Sequence, residues 1–307
     1  MTLTELKYIV AVARERHFGR AALACFVSQP TLSVAVKKLE DELGVKLFER
    51  GSVEVGVTAL GEAIVAQALQ VIDQVAAIKE TAKSGKDPLN GPLRLGIIYT
   101  IGPYLLPDLV KNAIAQTPQM PLMLQEDFTA RLLDMLRLGE LDCAIMAEPF
   151  PDTGLAIAPL YDEPFVVALP KAHELAKRRA ISAEELKTQT MLLLGTGHCF
   201  RDHVLEVCPE YARLASNVAG IRKSFEGSSL ETIKHMVASG MGITVVPRLS
   251  VSAEPSPHLR FVPFSAPVPT RRVVLAWRRS FTRYEAIAAL RNAIYACELP
   301  GVTRLTS

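Results

Sequence analysis

Apolar residues recur at helical spacing in residues 1–58 and predict three short helices followed by a ribbon. The first two helices are predicted at residues 4–16 and 18–25. Ser28 suits the N-cap of the third, Pro30 is tolerated in its first turn, and Gly44 suits its end. Its predicted inner face consists of Leu32, Val36, Leu39 and Leu43. The weak apolar alternation of residues 45–57 predicts a short ribbon or wing.

A longer helix is predicted over residues 59–84, with Thr58 as its cap. Its apolar residues follow heptad spacing at Ile64, Ala68, Val71, Val75, Ile78 and Ala82. Such a narrow stripe predicts a dimerisation seam. The alternative is an amphipathic helix that packs on its own domain.

Strand-like and helix-like segments alternate from residue 92 onward, after a linker that contains glycine and proline. The first strands are predicted at residues 93–99, 121–126 and 142–147, with helices at 103–115 and 129–138 between them. This alternation predicts an α/β fold with a mostly parallel sheet. Residues 160–170 indicate a crossover into a second α/β lobe. Later elements are predicted at residues 183–187, 229–239, 272–277 and 282–297.

The composition is typical of a soluble globular protein, with 49% apolar and 21% charged residues. The apolar runs are too short to span a membrane, and the N-terminus has no secretory pattern. We therefore expect a cytoplasmic protein without a membrane partner. The five cysteines include no CxxC motif and no cluster with histidine, which argues against a disulfide scaffold and structural zinc. No metal or other cofactor is predicted.

The second and third predicted helices follow the helix-turn-helix plan of proteins that bind double-stranded DNA. Polar side chains around Pro30 can reach base edges at the start of the third helix, namely Ser28, Gln29, Thr31 and Ser33. Lys37 suits a phosphate, and Arg50 on the wing suits a phosphate or a narrow minor groove. Basic and acidic residues nearly balance in residues 1–58, which predicts weak nonspecific binding. A helix-turn-helix that serves only as core is the alternative.

Several motifs in this region resemble the LysR-type transcriptional regulators almost position by position. They lie at residues 18–22, 27–33, 38–40, 43–44 and 47–50, and Gly19 departs from the serine or threonine common in that family. The resemblance covers essentially the whole chain. It implies a winged helix-turn-helix, a dimer formed by the linker helix, and a two-lobed effector domain like the periplasmic binding proteins. It also implies a dimer of dimers and RNA polymerase as a partner.

The pattern and the resemblance together predict five segments. Residues 1–58 form the DNA-binding domain, 59–84 the dimerisation helix and 85–91 a hinge. The first effector lobe comprises residues 92–161 and 268–300, and the second comprises residues 162–267.

Two cysteines, Cys199 and Cys208, bracket a predicted helix that follows a tight turn at residues 195–198. Nine helical steps of about 1.5 Å place their Cα atoms roughly 13 Å apart. A disulfide tolerates only about 7 Å, so this pair cannot bond without local refolding. A pair that must break its own helix to join is a candidate redox switch.

Peroxide chemistry suits the residues around Cys199. Its place at a helix N-terminus favours negative charge on sulfur, and His198 is adjacent. Hydroxyls of Thr100 and Thr129, both at predicted strand-to-helix turns, could donate to or accept from a bound peroxide. Cys208 is then the candidate resolving thiol.

Three stretches also resemble the peroxide-sensing members of the LysR family, at residues 91–107, 197–208 and 229–244. This resemblance supports hydrogen peroxide as the ligand and a disulfide between Cys199 and Cys208. It implies that the pocket is formed by Thr100, Thr129, His198, Asp202 and Arg271.

Each assignment has a simpler alternative. The two cysteines could be ordinary buried thiols, the two threonines helix caps, His198 a turn residue, Asp202 a local cap or pairing partner, and Arg271 a surface ion-pair partner. Cys25, Cys143 and Cys297 are predicted to be inert. We predict a peroxide-switched DNA-binding regulator and not an enzyme. A regulator with a small organic effector between the lobes is the second hypothesis, and a thiol peroxidase is the third.

Overall fold

A computed structural model describes residues 1–50, 55–83, 87–151, 154–211, 226–227, 229–252 and 254–305. The chain divides into two compact units. The first contains residues Met1–Gly85 with the short segments Arg137–Gly139 and Ser280–Thr282. The second contains the remainder. No helix among the described residues is both long enough and apolar enough to cross a membrane.

The first unit is mainly helical and contains a two-stranded ribbon. Its elements are α1 (Leu3–Glu15), α2 (Phe18–Ala24), α3 (Gln29–Leu43), β1 (Phe48–Arg50), β2 (Val55–Val57) and α4 (Ala59–Lys83). The strands β1 and β2 pair antiparallel. The predicted helix-turn-helix and wing are therefore present.

Local capping sets the limits of α3. The Ser28 hydroxyl accepts the backbone N–H of Thr31 at 3.3 Å, and Gly44 ends the helix in the left-handed region with φ 71°. Leu32, Val36 and Leu39 are buried, as their spacing predicts. Leu43 was also predicted to face the core, but it is 37% exposed because the helix ends beside it.

The apolar stripe of α4 is shared between the domain core and the surface. Ala68 and Ile72 are buried against the helix-turn-helix core, and Ile64 packs on the same core. Val71 and Ile78 are exposed. The prediction of a partner-facing seam is thus wrong for Ala68, because a straight helix of 3.6 residues per turn rotates a heptad stripe around its axis. For the other residues of the stripe the seam stays a prediction. The side chain of Ala82 lies outside the described residues.

The second unit contains an eight-stranded sheet in the described part of the chain, ordered β10-β6-β11-β5-β3-β4, with β9 and β12 also paired to β6. The strands are β3 (Leu93–Ile98), β4 (Leu122–Asp127), β5 (Cys143–Ala147), β6 (Ala156–Pro170), β9 (Thr244–Pro247), β10 (Leu259–Pro263), β11 (Thr270–Trp277) and β12 (Thr303–Arg304). A separate parallel pair joins β7 (Leu193–Leu194) to β8 (Glu226–Gly227).

The prediction of a mostly parallel sheet is wrong. Only β3 pairs in parallel within the described large sheet, with β4 and with β5. The long strand β6 pairs antiparallel with β9, β10, β11 and β12. The physical reason is that β6 is a single strand of 15 residues with antiparallel neighbours along its whole length. Its first part pairs with β11, and its last part pairs with β9 and β10.

Helices cover this sheet at the places where the sequence pattern predicts them. They are α5 (Gly102–Gln116), α6 (Thr129–Arg137), α7 (Ala183–Leu186), α8 (Cys199–Val207), α9 (Leu230–Ala238) and α10 (Tyr284–Tyr295). Two short 3-10 helices lie at Glu174–Lys177 and Arg248–Ser250. An α/β second unit after a mainly helical, winged first unit agrees with the predicted fold class.

The end of the predicted hinge is held by one buried side chain. Arg283, 5% exposed, donates hydrogen bonds to backbone carbonyls of Pro88, Asn90, Gly91 and Pro92. Because a guanidinium carries several donors in a fixed fork, it can satisfy these carbonyls together. Hinge residues 85 and 86 lie outside the described part.

Candidate functional site

The turn before α8 depends on glycine. Gly197 has φ 96°, a left-handed backbone conformation that residues other than glycine rarely adopt. A Cβ atom there would also lie 3.2 Å from the ring of Phe128. His198 follows as the N-cap of α8, and Cys199 is the first helical residue. The sequence-predicted turn and helix are both present.

Two strand ends bring the threonines beside Cys199. Strands β3 and β4 are parallel neighbours, so their carboxyl ends lie at the same edge of the sheet. Thr100 comes shortly after β3, and Thr129 begins α6 shortly after β4. Both line a small pocket together with His198 and Cys199. The structure therefore brings together four of the seven residues predicted for redox chemistry and peroxide binding.

The pocket is small and partly aromatic. Its empty space, including the part open to solvent, is about 170 Å³. The His198 ring lies 4.8 Å from the Phe128 ring and 5.8 Å from the Tyr99 ring, measured between centroids. These rings restrict the space beside the sulfur of Cys199, which favours a ligand of few atoms.

Neither threonine serves as a helix cap. The N-cap of α5 is Ile101, which makes no side-chain capping bond. The Thr129 hydroxyl oxygen is buried and has no hydrogen-bond partner among the described residues. A buried hydroxyl without a partner is unfavourable, so this group is suited to a ligand in the pocket. The capping alternative is wrong for both residues.

Arg271 is buried, which contradicts its interpretation as a surface residue. It is 2% exposed and lies within β11, paired across the strands with Glu163 of β6. Its Nε donates to the Glu163 carboxylate at 2.9 Å, and its Nη1 donates to Thr100 Oγ1 at 2.8 Å. Arg271 therefore reaches the pocket through Thr100 and is not itself among the lining residues.

Asp202 occupies the first turn of α8 and is exposed. It does not belong to the residues that line the pocket. Its role in binding peroxide stays a prediction.

Cys208 lies at the opposite end of α8 from Cys199. It caps the helix, is 1% exposed, and belongs to the apolar core of the second unit. Burial, with a smaller contribution from Glu210, raises the pKa of its thiol to about 11. Cys199 is half-buried in the pocket, and both thiols are free. The pair thus combines an accessible sulfur with a buried, protonated one.

The remaining cysteines lie elsewhere. Cys143 and Cys297 are buried, and Cys25 is half-buried in the first unit. Burial raises the pKa of each thiol, to a very high value for Cys143. Within the residues that the structure describes, no cluster of histidine, cysteine and carboxylate side chains could hold a metal ion.

His203, on α8, was not predicted from the sequence. It is 6% exposed, and its Nε2 donates to the Glu148 carbonyl at 2.9 Å. Its Nδ1 is buried without a hydrogen-bond partner among the described residues. Burial, followed by the positive charge of Arg271, lowers the pKa of this imidazole from its ordinary 6.5. The folded helix therefore holds a neutral histidine.

We expect α8 to become less stable as the pH falls below about 6.5. In that range the unfolded segment binds a proton at His203 that the folded helix excludes, so stability is present above 6.5 and lost below it. Amide hydrogen exchange in α8, corrected for intrinsic rates, should accelerate by at most about tenfold for each pH unit. His203→Gln, which keeps a donor for Glu148, should abolish this dependence. Equal dependence in the variant would contradict the assignment to His203.

The predicted DNA-binding residues lie on one exposed region of the first unit. Ser28, Gln29, Pro30, Thr31 and Lys37 are exposed at the start and along the outer face of α3, and Ser33 is half-buried. The hydroxyls of Ser28 and Thr31 lie 2.8 Å apart and bond to each other. The side chain of Arg50 and wing residues 51–54 lie outside the described residues.

One further feature of the sequence indicates the pocket. Tyr99-Thr100 and Phe128-Thr129 are matching aromatic–threonine pairs that follow consecutive parallel strands. Both aromatic residues line the pocket. The role of Glu163, by contrast, cannot be predicted from the sequence, because a charged residue within an apolar strand does not indicate which distant residue it pairs with.

Two sequence families match this chain. Residues 3–62 match the bacterial regulatory helix-turn-helix protein family described as lysR, and residues 86–296 match the LysR substrate binding domain. The chain therefore belongs to the LysR family of bacterial regulatory proteins. The predicted family and fold class are confirmed.

Within that family, the chain is similar to OxyR proteins. It is 39% identical over 292 residues to the DNA-binding transcriptional dual regulator OxyR of Escherichia coli, covering 94% of each chain. A full-length cysteine-to-aspartate mutant of OxyR from Pseudomonas aeruginosa is 51% identical, with a TM-score of 0.67 over 97% of this chain and 99% of that one. A peroxide-bound cysteine mutant of Corynebacterium glutamicum OxyR is 34% identical, with a TM-score of 0.63 over 95% and 91%.

Proposed function

We propose that this chain is a transcriptional regulator that senses hydrogen peroxide through Cys199 and controls oxidative-stress genes. One observation carries the proposal. Cys199 opens into a small pocket with two threonine hydroxyls at one end of α8, and a second cysteine is buried at the other end. The similarity to OxyR proteins, several of which are described as hydrogen peroxide-inducible genes activators, supports the same function.

The first chemical step is attack of the Cys199 thiolate on one peroxide oxygen. A sulfur–oxygen bond forms and the oxygen–oxygen bond breaks, so sulfur is oxidised to a sulfenic acid and peroxide is reduced. The leaving hydroxide takes up a proton and becomes water. We infer that Thr100 and Thr129, which both line the pocket, hold the peroxide. A hydroxyl donor would stabilise the charge that develops on the leaving oxygen.

The second step joins Cys208 to the oxidised sulfur. Its thiolate attacks the sulfenic sulfur, a disulfide forms, and the sulfenic oxygen leaves as water. The two residues stand at opposite ends of the nine-residue helix α8. At about 1.5 Å per residue, the helix separates them well beyond the roughly 7 Å that a disulfide permits. The disulfide therefore requires α8 to unwind.

Unwinding α8 changes the core of the second unit. Phe200, Val204 and Cys208 are at most 2% exposed and pack in that core. Withdrawing Cys208 exposes apolar surface and favours a different packing of the region. A covalent bond at one site thereby selects a second conformation, which is the requirement for a switch.

The regulator acts on double-stranded DNA through α3 and the wing, with Gln29, Thr31 and Ser33 toward base edges and Lys37 toward a phosphate. Arg50, on the wing, is the further contact to a phosphate or the minor groove that the sequence predicts. The family resemblance supports a dimer of dimers, contact with RNA polymerase and a cytoplasmic location. Oxidation at Cys199 would then change the spacing of the DNA-binding domains. The helix-turn-helix family match over residues 3–62 and the exposure of α3 support this part of the proposal.

Footprint length on DNA tests the proposed function. A duplex selected from a random library by the reduced protein is footprinted with thiol-reduced and with peroxide-treated full-length protein. We expect the protected length to change on oxidation, because refolding of α8 repositions the domains, and to return after re-reduction. If mass spectrometry finds the Cys199–Cys208 disulfide but the footprint is unchanged, the regulatory part of the proposal is wrong.

A further inference from the structure

We propose that Glu163 is a positioning residue for the reaction of Cys199 with peroxide. It holds Arg271 so that the guanidinium occupies the acceptor side of the Thr100 hydroxyl and leaves the hydroxyl proton for the ligand. The inference rests on the proposed function, since it takes peroxide as the ligand of the pocket. Nothing in the sequence pattern pointed to Glu163.

The carboxylate of Glu163 is fixed at both oxygens. Glu163 is 0% exposed, and its Oε2 accepts hydrogen bonds from Arg271 Nε at 2.9 Å and pairs with Nη2 at 2.8 Å. Its Oε1 accepts the backbone N–H of Leu249 at 2.8 Å. A carboxylate held from both sides cannot rotate, so it defines the plane of the guanidinium that it binds.

The guanidinium in turn is fixed on its other sides. Arg271 Nη1 donates to Thr100 Oγ1 at 2.8 Å, and Nη2 donates to the Thr100 carbonyl at 3.0 Å. The ring of Phe200, the neighbour of Cys199 on α8, lies 5.1 Å from the guanidinium carbon. Glu163, Arg271 and Thr100 thus form one buried chain of hydrogen bonds that ends at the pocket.

This series of hydrogen bonds from Glu163 to Thr100 determines where the Thr100 hydroxyl proton points. Arginine has donors and no acceptor, so in the bond to Arg271 the Thr100 oxygen must be the acceptor. Among the described residues, the Thr100 hydroxyl accepts the bond from Arg271 and donates its proton to no other group. The proton is therefore available to an oxygen atom in the pocket that Thr100 lines. Donation from a cation also strengthens the next bond along the chain.

A hydroxyl donor at Thr100 should accelerate the reaction of Cys199 with peroxide more than its alkylation. When peroxide reacts, negative charge develops on the leaving oxygen, and a preorganised O–H donor stabilises it. Alkylation of the same sulfur by iodoacetamide releases iodide, which gains little from this donor. The ratio of the two rate constants at Cys199 therefore reports on the Thr100 proton and not on the thiolate alone.

Glu163→Gln is the direct test. Glutamine keeps an oxygen for Leu249, but its amide NH₂ would face the Arg271 donors, so the guanidinium loses its acceptor and its orientation. We expect the second-order rate constant for loss of the Cys199 thiol with peroxide to fall by about 10- to 100-fold. The rate constant with iodoacetamide should stay within about twofold. Equal falls in both, or no fall with peroxide, would overturn the proposal.

A double-mutant cycle identifies the route. Thr100→Val removes the hydroxyl, and adding Glu163→Gln to it should lower the peroxide rate no further if Glu163 acts through Thr100. Multiplicative losses would overturn that route. The matched control is Asp162→Asn, which breaks the neighbouring exposed pair with Arg272 and should leave both rate constants unchanged.

Two further measurements keep the outcomes distinct. If Glu163→Gln does not fold, as judged by circular dichroism, Arg271→Lys carries the test. It keeps the positive charge but lacks the planar fork, and it should lower the peroxide rate selectively. If the wild-type thiol reacts with peroxide no faster than free cysteine does, the proposed function fails. If the wild-type thiol reacts quickly with peroxide and Glu163→Gln has the same rate constant, only the proposed role of Glu163 is wrong.

Discussion

Replacing Cys199 with serine is expected to abolish the peroxide response while leaving the fold intact. A serine hydroxyl is not ionised at neutral pH and does not attack peroxide, so neither a sulfenic acid nor a disulfide can form. Cys199 is half-buried at the start of α8 and lies outside the buried core, so the exchange should cost little stability. Peroxide treatment should leave the thiol of Cys208 free by mass spectrometry and the DNA footprint unchanged.

Cys25→Ser provides the control for that experiment. Cys25 is also half-buried, but it belongs to the first unit and not to the pocket. This variant should still form the Cys199–Cys208 disulfide at the wild-type rate. A Cys199→Ser protein whose footprint still responds to peroxide would show that the sensing group lies elsewhere. A Cys199→Ser protein that still responds to a small organic inducer would favour the organic-effector hypothesis.

Replacing Cys208 is expected to separate the two chemical steps. Cys208→Ser should accumulate a sulfenic acid at Cys199, detectable as a dimedone adduct, but should form no disulfide between these positions. The first step proceeds because Cys208 does not line the pocket. Without the second sulfur, the unwound conformation is not stabilised by a covalent bond, and α8 should refold when the sulfenic acid is reduced.

Stability measurements distinguish loss of chemistry from damage to the core. Cys208 is 1% exposed in an apolar cluster, so a serine hydroxyl there should lower the free energy of unfolding by about 1–3 kcal/mol. Cys208→Ala keeps the site apolar and is the matched control. Both variants should lack the disulfide to the same extent. Disulfide formation between Cys199 and another cysteine in either variant would contradict the assigned partner.

Part of the pocket can be predicted from the residue pattern within short segments of the sequence. The glycine at 197, the helix after it, and the two strand-to-helix turns are all signalled by short-range spacing, and the structure contains each of them. The carboxyl ends of adjacent parallel strands share one edge of a sheet, so the meeting of Thr100 and Thr129 follows from the predicted strands. The placement of Cys199 beside them does not follow, because it depends on how the second half of the chain packs.

The sequence is least informative where charge is buried. The sequence around Arg271 is equally compatible with a surface position, and no pattern in the sequence indicates a role for Glu163. The two residues lie opposite each other on β11 and β6, more than a hundred positions apart in the chain. Antiparallel register between distant strands decides such a pair, and no periodicity in either strand encodes its partner.

The sequence by itself determined the elements, the family and the geometric conflict between α8 and a Cys199–Cys208 disulfide, because each depends on residue spacing within one segment. Tertiary structure alone decided the antiparallel sheet around β6, the burial of Cys208 and His203, and the chain of bonds from Glu163 to Thr100. These arise from contacts between distant segments, and their strength comes from exclusion of water, which only the assembled core provides.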